Sequence, residues 1–157
     1  MSSREVSSTT VVEASPSTVF DILADPRQHS RIDGSGTVKA SVSGPDRLEM
    51  GSSFGMDMKM GAPYKIKNTV VEFETDRLIA WRHQGVHRWR YEMEPVDGGT
   101  RVTETWDATR YPAPLWWGLK AARFPERNRR GIEATLVKLA HEAAADEKNK
   151  SAGDEKA

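Results

Sequence analysis

The segment 9–26 constrains the fold more than any other part of the chain. Its sequence is TTVVEASPSTVFDILADP. A β-branched run is followed by Ser15, a helix-capping residue type, and by Pro16, whose missing N–H costs nothing at a first helical position. The chain must leave the helix at Asp25, since the residue before a proline avoids the α region. The segment therefore predicts a strand that leads directly into a helix over 16–24.

Alternation of apolar and polar residues predicts an antiparallel sheet with one buried face. Seven strands are predicted, over 5–14, 37–43, 53–60, 64–74, 78–83, 87–96 and 100–109, with a turn or short helix over 27–36. The apolar parity changes near 70–71, which predicts a β-bulge. Asp97-Gly98-Gly99 predicts a hairpin turn, and either placement of the turn keeps the same residues on one face. In 78–83, Trp81 and Arg82 point to opposite faces, and the pattern leaves open which one faces inward.

The C-terminal part of the chain is predicted to be helical. A helix over about 115–124 is followed by Pro125, which either bends it or restarts it. A long terminal helix is predicted from an apolar stripe formed by Ile132, Leu136, Leu139 and Ala143. Gly131 within this helix indicates close approach to the sheet. Residues 148–157 are small and charged without periodicity, so we predict one domain over 1–147 and a disordered tail.

The composition excludes several classes of protein. Lys and Arg number 23 and so do Asp and Glu, so the net charge is zero, which argues against a nucleic-acid-binding protein. The absence of cysteine excludes disulfides, a thiolate nucleophile and cysteine-ligated zinc. The N-terminus lacks the apolar stretch of a signal peptide, and no run approaches the roughly 18 apolar residues of a membrane span. We therefore expect a soluble, cytoplasmic protein.

Familiar catalytic and cofactor motifs are missing from the sequence. It contains no Gly-x-Ser-x-Gly, no Gly-x-Gly-x-x-Gly and no P-loop, so we predict no nucleotide or other cofactor. His83 and His87 flank a short turn where zinc is conceivable, but no third ligand stands at a useful spacing. We therefore predict no metal site. His29 and His141 are expected to be distant and exposed.

The order of the predicted elements resembles the helix-grip fold of the START-like superfamily, also called SRPBCC. Three segments carry the resemblance, SPSTVFDILADP at 15–26, WRYEMEPVDGGTRVTET at 89–105 and RGIEATLVKL at 130–139. The superfamily includes the polyketide cyclase/dehydrase and lipid-transport families. The resemblance covers roughly residues 5–145 and implies an α+β fold, in which a seven-stranded curved antiparallel sheet wraps around a long C-terminal helix. It also implies a role with lipids, sterols, hormones or polyketides, and in some members catalysis of cyclisation.

The apolar face of the predicted sheet supplies the candidate binding residues. Met side chains on 53–60 are either flexible walls of a ligand cavity or ordinary core. The predicted ligand-binding set is Phe54, Met56, Met58, Asn68, Trp89, Tyr91, Met93, Glu104 and Trp106. Because a helix-grip sheet is too curved for one helix to fill, a cavity between the sheet and the terminal helix is expected. Trp89 and Trp106 are predicted to be buried together on the inner face.

Glu104 is the most informative polar residue of this face. A carboxylate on an apolar face needs a partner or a raised pKa. Together with Tyr91 it is the candidate catalytic pair, as a general base or as an acceptor for a ligand hydroxyl. Alternatively, it pairs with an inward-facing Arg82 or stays wet at the open end of the cavity. Asn68 is a second polar residue on an apolar face.

Three functions remain open at this point. The first is binding or transport of a hydrophobic small molecule, such as a lipid, isoprenoid or polyketide-like molecule. The second is a cyclase or dehydratase, and the third is a protein-interaction module with no ligand. A basic start of the terminal helix, beside Trp116 and Trp117, is either a membrane contact or a solvated helix face. The sequence predicts no oligomeric state.

Overall fold

The computed structural model describes residues 4–83 and 86–156. Within these residues it has one antiparallel sheet of seven strands in the order β1-β7-β6-β5-β4-β3-β2. The strands are β1 (Glu5–Val12), β2 (Val38–Ser43), β3 (Ser53–Met60), β4 (Ala62–Glu74), β5 (Leu78–Arg82), β6 (Arg88–Val96) and β7 (Gly99–Asp107). One long connection, which contains helices, links β1 to β2 at the opposite edge of the sheet. The antiparallel sheet predicted from the alternation is therefore confirmed.

Helices cover one face of the sheet. They are α1 (Pro16–Ala24), a single 3-10 turn (Pro26–Gln28), α2 (His29–Ile32), α3 (Ala113–Ala121) and α4 (Phe124–Asp154). Helix α4 lies against β1 and β7, and α1 and α2 pack on it. The predicted apolar stripe of α4 is buried, at Ile132, Leu136, Leu139 and Ala143. The fold is α+β and helix-grip, as the resemblance implied. No helix among the described residues combines the length and hydropathy needed to cross a bilayer.

Helix α1 begins and ends where the sequence predicts. The Ser15 side chain accepts a hydrogen bond from the Thr18 N–H, and Pro16 occupies the first helical position. Asp25 adopts an extended conformation, which ends the helix, and its carboxylate then caps the following 3-10 turn. These local contacts fix the direction in which the chain crosses the sheet.

Two predicted features of the sheet, the bulge and the hairpin turn, are confirmed. The register of β4 against β5 shifts between Val70 and Glu72, as expected for a bulge. The β6–β7 turn is Asp97-Gly98, because Val96 pairs with Gly99, and Gly98 has a φ of 83° that favours glycine. This register places Tyr91 opposite Glu104.

The C-terminal end differs from the prediction. A disordered tail is predicted for 148–157, whereas α4 continues through Asp154. Contacts with α1 hold this end, since the Lys150 Nζ lies 3.1 Å from the Thr18 Oγ1 and 3.2 Å from the Asp21 Oδ2. Polar tertiary contacts therefore hold this end of α4, although its sequence has no apolar periodicity.

The sequence left open whether Pro125 bends the helix or restarts it. In the structure the helix restarts. Arg123 adopts a left-handed conformation with φ of 58°, which separates α3 from α4. Pro125 then lies in the first turn of α4, where its missing N–H costs nothing. Gly131 is predicted to approach the sheet, but it faces the loop that contains Ser35 instead.

Candidate functional site

A cavity of about 620 Å³ lies between the inner face of the sheet, α4 and the segment 29–38. Its sheet wall comes from β3 to β7, and its opposite wall comes from α4 and the end of α3. Gly34 allows the loop to lie directly against α4. Any other residue would place its Cβ 2.2 Å from the Thr135 N. The Gly34 N–H also donates to the Thr135 Oγ1 at 3.0 Å. The loop thus closes one side of the cavity.

Most of the predicted binding residues line this cavity. They are Met56, Met58, Asn68, Trp89, Tyr91, Glu104 and Trp106. Phe54 and Met93 are buried but lie outside its lining. Phe54 instead packs its ring edge against His29 and Trp81, and Met93 pairs with Val102 in the sheet. Two members of the predicted set therefore belong to the core.

The two tryptophans of the hairpin share the inner face. Trp89 lies opposite Trp106 in the β6–β7 register, and both line the cavity. Trp106 is fully buried, whereas Trp89 is only partly buried. The predicted burial of both indoles is therefore correct for Trp106 and only partly correct for Trp89.

Trp81 is the inward-facing member of the Trp81/Arg82 pair. Its side chain is buried, and Arg82 is exposed. The ring of Trp81 stacks on His29 with centroids 4.8 Å apart and lies 5.4 Å from the ring of Tyr91. Arg82 is therefore not an inward partner for Glu104, and that alternative is excluded.

Glu104 forms a buried pair with Tyr91 at the base of the cavity. The Tyr91 hydroxyl donates to the Glu104 Oε1 at 2.8 Å, while the Glu104 Oε2 is buried without a partner among the described residues. Burial raises the pKa of Glu104 to about 8, although the hydrogen bond from Tyr91 opposes the shift. Burial beside Glu104 also raises the pKa of Tyr91. At neutral pH the carboxyl is therefore mostly protonated and uncharged.

His29 contradicts its predicted exposure. Only 5% of the residue is exposed, and its Nε2 lies 2.8 Å from the Leu23 carbonyl oxygen. Burial lowers the pKa of His29 to about 4, so the ring is neutral at pH 7. The sequence does contain an indication that His29 is buried. His29 and the apolar Ile32 are three residues apart, so they share one face of a short helix. The cavity is lined by both of these residues.

A second polar group lies between β5 and β6. His83 and His87 stack with centroids 4.8 Å apart, and the His87 Nδ1 is 2.8 Å from the Tyr111 hydroxyl. Burial, together with the neighbouring His83, lowers the pKa of His87 to about 3. The described residues include no cluster of three or more potential metal-ligating side chains around this pair. Tyr111 follows β7 in an irregular segment, where no sequence pattern indicated its role.

Basic side chains stand on the α4 side of the cavity. Arg127 and Arg130 line it and also line a smaller adjoining groove with Arg123 and Glu126. Within the described residues, no carboxylate forms an ion pair with Arg127 or Arg130. The site therefore combines apolar walls and an uncharged polar base with a cationic side.

The neighbouring tryptophans of α3 have different environments. Trp116 is buried, with its ring 6.3 Å from that of Trp106, so it belongs to the protein interior. Trp117 is 61% exposed, and the Lys120 Nζ lies 5.2 Å from its ring centroid. Only one of the two indoles is thus available for the membrane contact considered from the sequence.

This chain is similar in sequence to a known protein family. The model of a family described as "Polyketide cyclase / dehydrase and lipid transport" matches residues 3–144. The uncharacterized protein Rv0088 of Mycobacterium tuberculosis is 42% identical in a match 144 residues long, which covers 88% of this chain and 64% of that protein. The chain thus spans about two thirds of the length of this relative.

Solved structures with low sequence identity share the fold. A protein of Nitrosomonas europaea superposes with a TM-score of 0.71 at 16% identity, over 95% of this chain and 99% of that one. A protein of Chromobacterium violaceum superposes with a TM-score of 0.68 at 15% identity, over 90% of this chain and 97% of that one. At these identities the likeness concerns the fold alone.

Proposed function

The chain belongs to the polyketide cyclase/dehydrase and lipid transport family, and on that premise we propose that it binds a hydrophobic small molecule in the cavity between the sheet and α4. A lipid, an isoprenoid or a polyketide-like molecule has the required character. The single observation that carries this proposal is the cavity itself. Its volume of about 620 Å³ is within the roughly 300–1,000 Å³ of small-molecule sites.

The lining of the cavity supports an apolar ligand. Met56 and Met58 of β3 pair with Ile66 and Tyr64 of β4, and all four residues line the cavity. Methionine side chains are flexible and polarisable, so they adapt to ligands of irregular shape. Ordinary protein cores leave few voids larger than a water molecule. A space of this size favours a ligand over the alternative of an interaction module with a filled interior.

Tryptophan fluorescence provides the direct test. Trp89 and Trp106 line the cavity, so an apolar ligand would remove water from their surroundings and change their emission. We expect a saturable change on titration with long-chain alcohols or polycyclic aromatics, with micromolar affinity, about −8 kcal/mol, as a plausible scale. Trp89→Phe and Trp106→Phe should each diminish the response, whereas Trp117→Phe should retain it.

A matched pair of variants at Gly131 tests whether the ligand occupies the cavity. Gly131 lines the cavity, and a Cβ there would meet the Ser35 Cβ at 3.5 Å, an ordinary contact. Gly131→Ala should stabilise α4 by up to about 1 kcal/mol and retain binding. Gly131→Leu projects a larger side chain from the same position and should weaken binding at least tenfold. Equal affinity in both variants, or no saturable response with any apolar ligand, would overturn the proposal.

A cyclase or dehydratase is the second candidate, and the Glu104–Tyr91 pair favours it. An acid or base works best when its pKa is near the working pH, and burial brings Glu104 to about 8. In this function Glu104 exchanges a proton with the bound molecule and Tyr91 orients the carboxyl. Glu104→Gln separates the two candidates, since a carrier should retain binding and an enzyme should lose turnover while still binding substrate.

A further inference from the structure

The base of the cavity contains three buried polar atoms that lack a protein partner, and we propose that they bind an uncharged hydroxyl group of the ligand. Among the described residues these atoms are the His29 Nδ1, the Asn68 Oδ1 and the Glu104 Oε2. All three residues line the cavity, and each is at most 5% exposed. A buried polar atom without a partner costs about 1–3 kcal/mol, so a bound group that donates to one of these atoms and accepts from another gains affinity. This inference rests on the proposed function and specifies its ligand.

The ring of Trp81 links the surroundings of the three residues. His29 stacks on this ring at 4.8 Å, and the Tyr91 ring, whose hydroxyl holds Glu104, lies 5.4 Å away. Asn68 stands opposite Phe54 in the β3–β4 register, and the ring of Phe54 is 5.6 Å from that of Trp81. His29, the strand partner of Asn68 and the hydrogen-bond partner of Glu104 therefore all contact one ring, and the three polar residues line the same cavity.

The chemistry of His29 determines what its free nitrogen accepts. The Nε2 lies 2.8 Å from the Leu23 carbonyl oxygen, which only accepts hydrogen bonds, so the Nε2 carries the hydrogen. Since the buried ring is neutral at pH 7, the Nδ1 carries none. It therefore needs a donor, and the Asn68 Oδ1 also needs one, because an amide oxygen only accepts.

Glu104 adds the complementary donor. Its Oε1 accepts from Tyr91, so in the protonated carboxyl the hydrogen lies on the Oε2. A ligand hydroxyl is complementary to both kinds of atom, because it donates its one hydrogen to the Asn68 Oδ1 or the His29 Nδ1 and accepts the Glu104 hydrogen through a lone pair. An ether oxygen lacks the donor, and a carboxylate lacks it as well.

A charged ligand group fits this end of the cavity less well. The neighbouring charge that acts on Glu104 is that of Asp33, and it further raises the pKa of the carboxyl. This negative charge opposes an anion. An ammonium group donates to the His29 Nδ1 and the Asn68 Oδ1, but it has no lone pair to accept the Glu104 hydrogen, and burial of its charge is costly.

A series of probes with one twelve-carbon chain tests the polarity directly. The probes are 1-dodecanol, its methyl ether, dodecanoic acid and dodecylamine, titrated against the full chain at pH 7 and followed by calorimetry and tryptophan emission. We expect the alcohol to bind at least tenfold tighter than the ether, a difference of about 1.4 kcal/mol. Equal affinity of alcohol and ether, or tighter binding of the acid or the amine, would overturn the inference and leave the proposed function intact. If no probe binds, the proposed function itself fails.

A variant at Asn68 assigns the preference to these atoms. Asn68→Leu removes an unpartnered buried oxygen while keeping the same branching and the same number of side-chain heavy atoms, so the fold should be retained. We expect the alcohol-to-ether preference to fall at least threefold, while the affinity for the ether stays within twofold of the wild-type value. A general loss of packing would weaken both probes alike, so an unchanged preference would contradict the role given to Asn68.

Discussion

Replacement of Glu104 by glutamine should make the stability of the protein less dependent on pH. In the fold, burial raises the pKa of Glu104 from 4.5 to about 8, and unfolding returns the carboxyl to water. A folded pKa above the unfolded one means that the carboxyl favours the fold fully below pH 4.5 and that this contribution is lost as the pH rises through 8. The glutamine side chain of the variant would resemble the neutral carboxyl, because its oxygen still accepts from Tyr91.

The magnitude follows from the interval between the two pKa values. One pH unit corresponds to about 1.4 kcal/mol, and between the two pKa values the carboxyl ionises only in the unfolded chain. The fold therefore loses about 3 kcal/mol of stability at pH 7 and about 5 kcal/mol above pH 8, relative to pH 4.5. The advantage of the glutamine variant should therefore be small at pH 4.5 and grow by about 1.4 kcal/mol per pH unit before it levels off. At pH 7 it corresponds to a melting temperature roughly 6–12 °C higher.

Urea unfolding of wild type and Glu104→Gln at intervals between pH 5 and pH 9 measures this difference. Taking the difference between the two proteins removes the contributions of the buried histidines, which are common to both. Glu94→Gln is the matched control on the same hairpin, because Glu94 is exposed and its pair with Arg101 contributes less than about 1 kcal/mol. A difference between Glu104→Gln and wild type that stays constant with pH would refute the argument, since it would mean that the carboxyl is equally solvated in both states.

Three further changes test polar contacts between segments that are far apart in the chain. Arg31→Met removes the ties from α2 to two carboxylates of α4, which are partly exposed, and should cost about 1–2 kcal/mol in urea unfolding; an unchanged midpoint would contradict this. Deletion of 148–157 removes the contacts of Lys150 with α1 and should lower the melting temperature by at most about 4 °C, whereas a larger fall would show that this end docks more firmly. Thr100→Val leaves the buried Ala14 carbonyl without its donor and should destabilise the protein by about 1–3 kcal/mol, with Thr103→Val as the exposed-face control.

Local patterns account for most of the fold. The cap at Ser15, the stop at Asp25 and the Asp97-Gly98 turn depend on contacts within a few residues, so the sequence specifies them directly. The alternation along β3, β6 and β7 identifies one inner face whatever the exact register. For this reason Met56, Tyr91, Glu104 and Trp106 could be assigned to that face before their partners were known. The end of α4 was not predictable in this way, because Lys150 gains its contacts from α1.

The candidate site was predictable only in part. The sequence placed Glu104 and Tyr91 on one face, but it left the direction of Trp81 open and suggested that His29 is exposed. Both answers come from one contact, the stacking of His29 on Trp81, and this contact joins α2 to β5. Such a contact has no periodic signature in either segment.

The sequence by itself determined the strands, their inner face and the class of fold, because these follow from residue type and from spacing of two or about 3.6 along the chain. The tertiary structure alone decided that the inner face is not fully packed and leaves a cavity of about 620 Å³. It also decided which polar atoms at its base have no partner. Cavity volume and hydrogen-bond partners depend on how closely α4 and the segment 29–38 approach the sheet. That distance is set by many packing contacts between residues far apart in the chain.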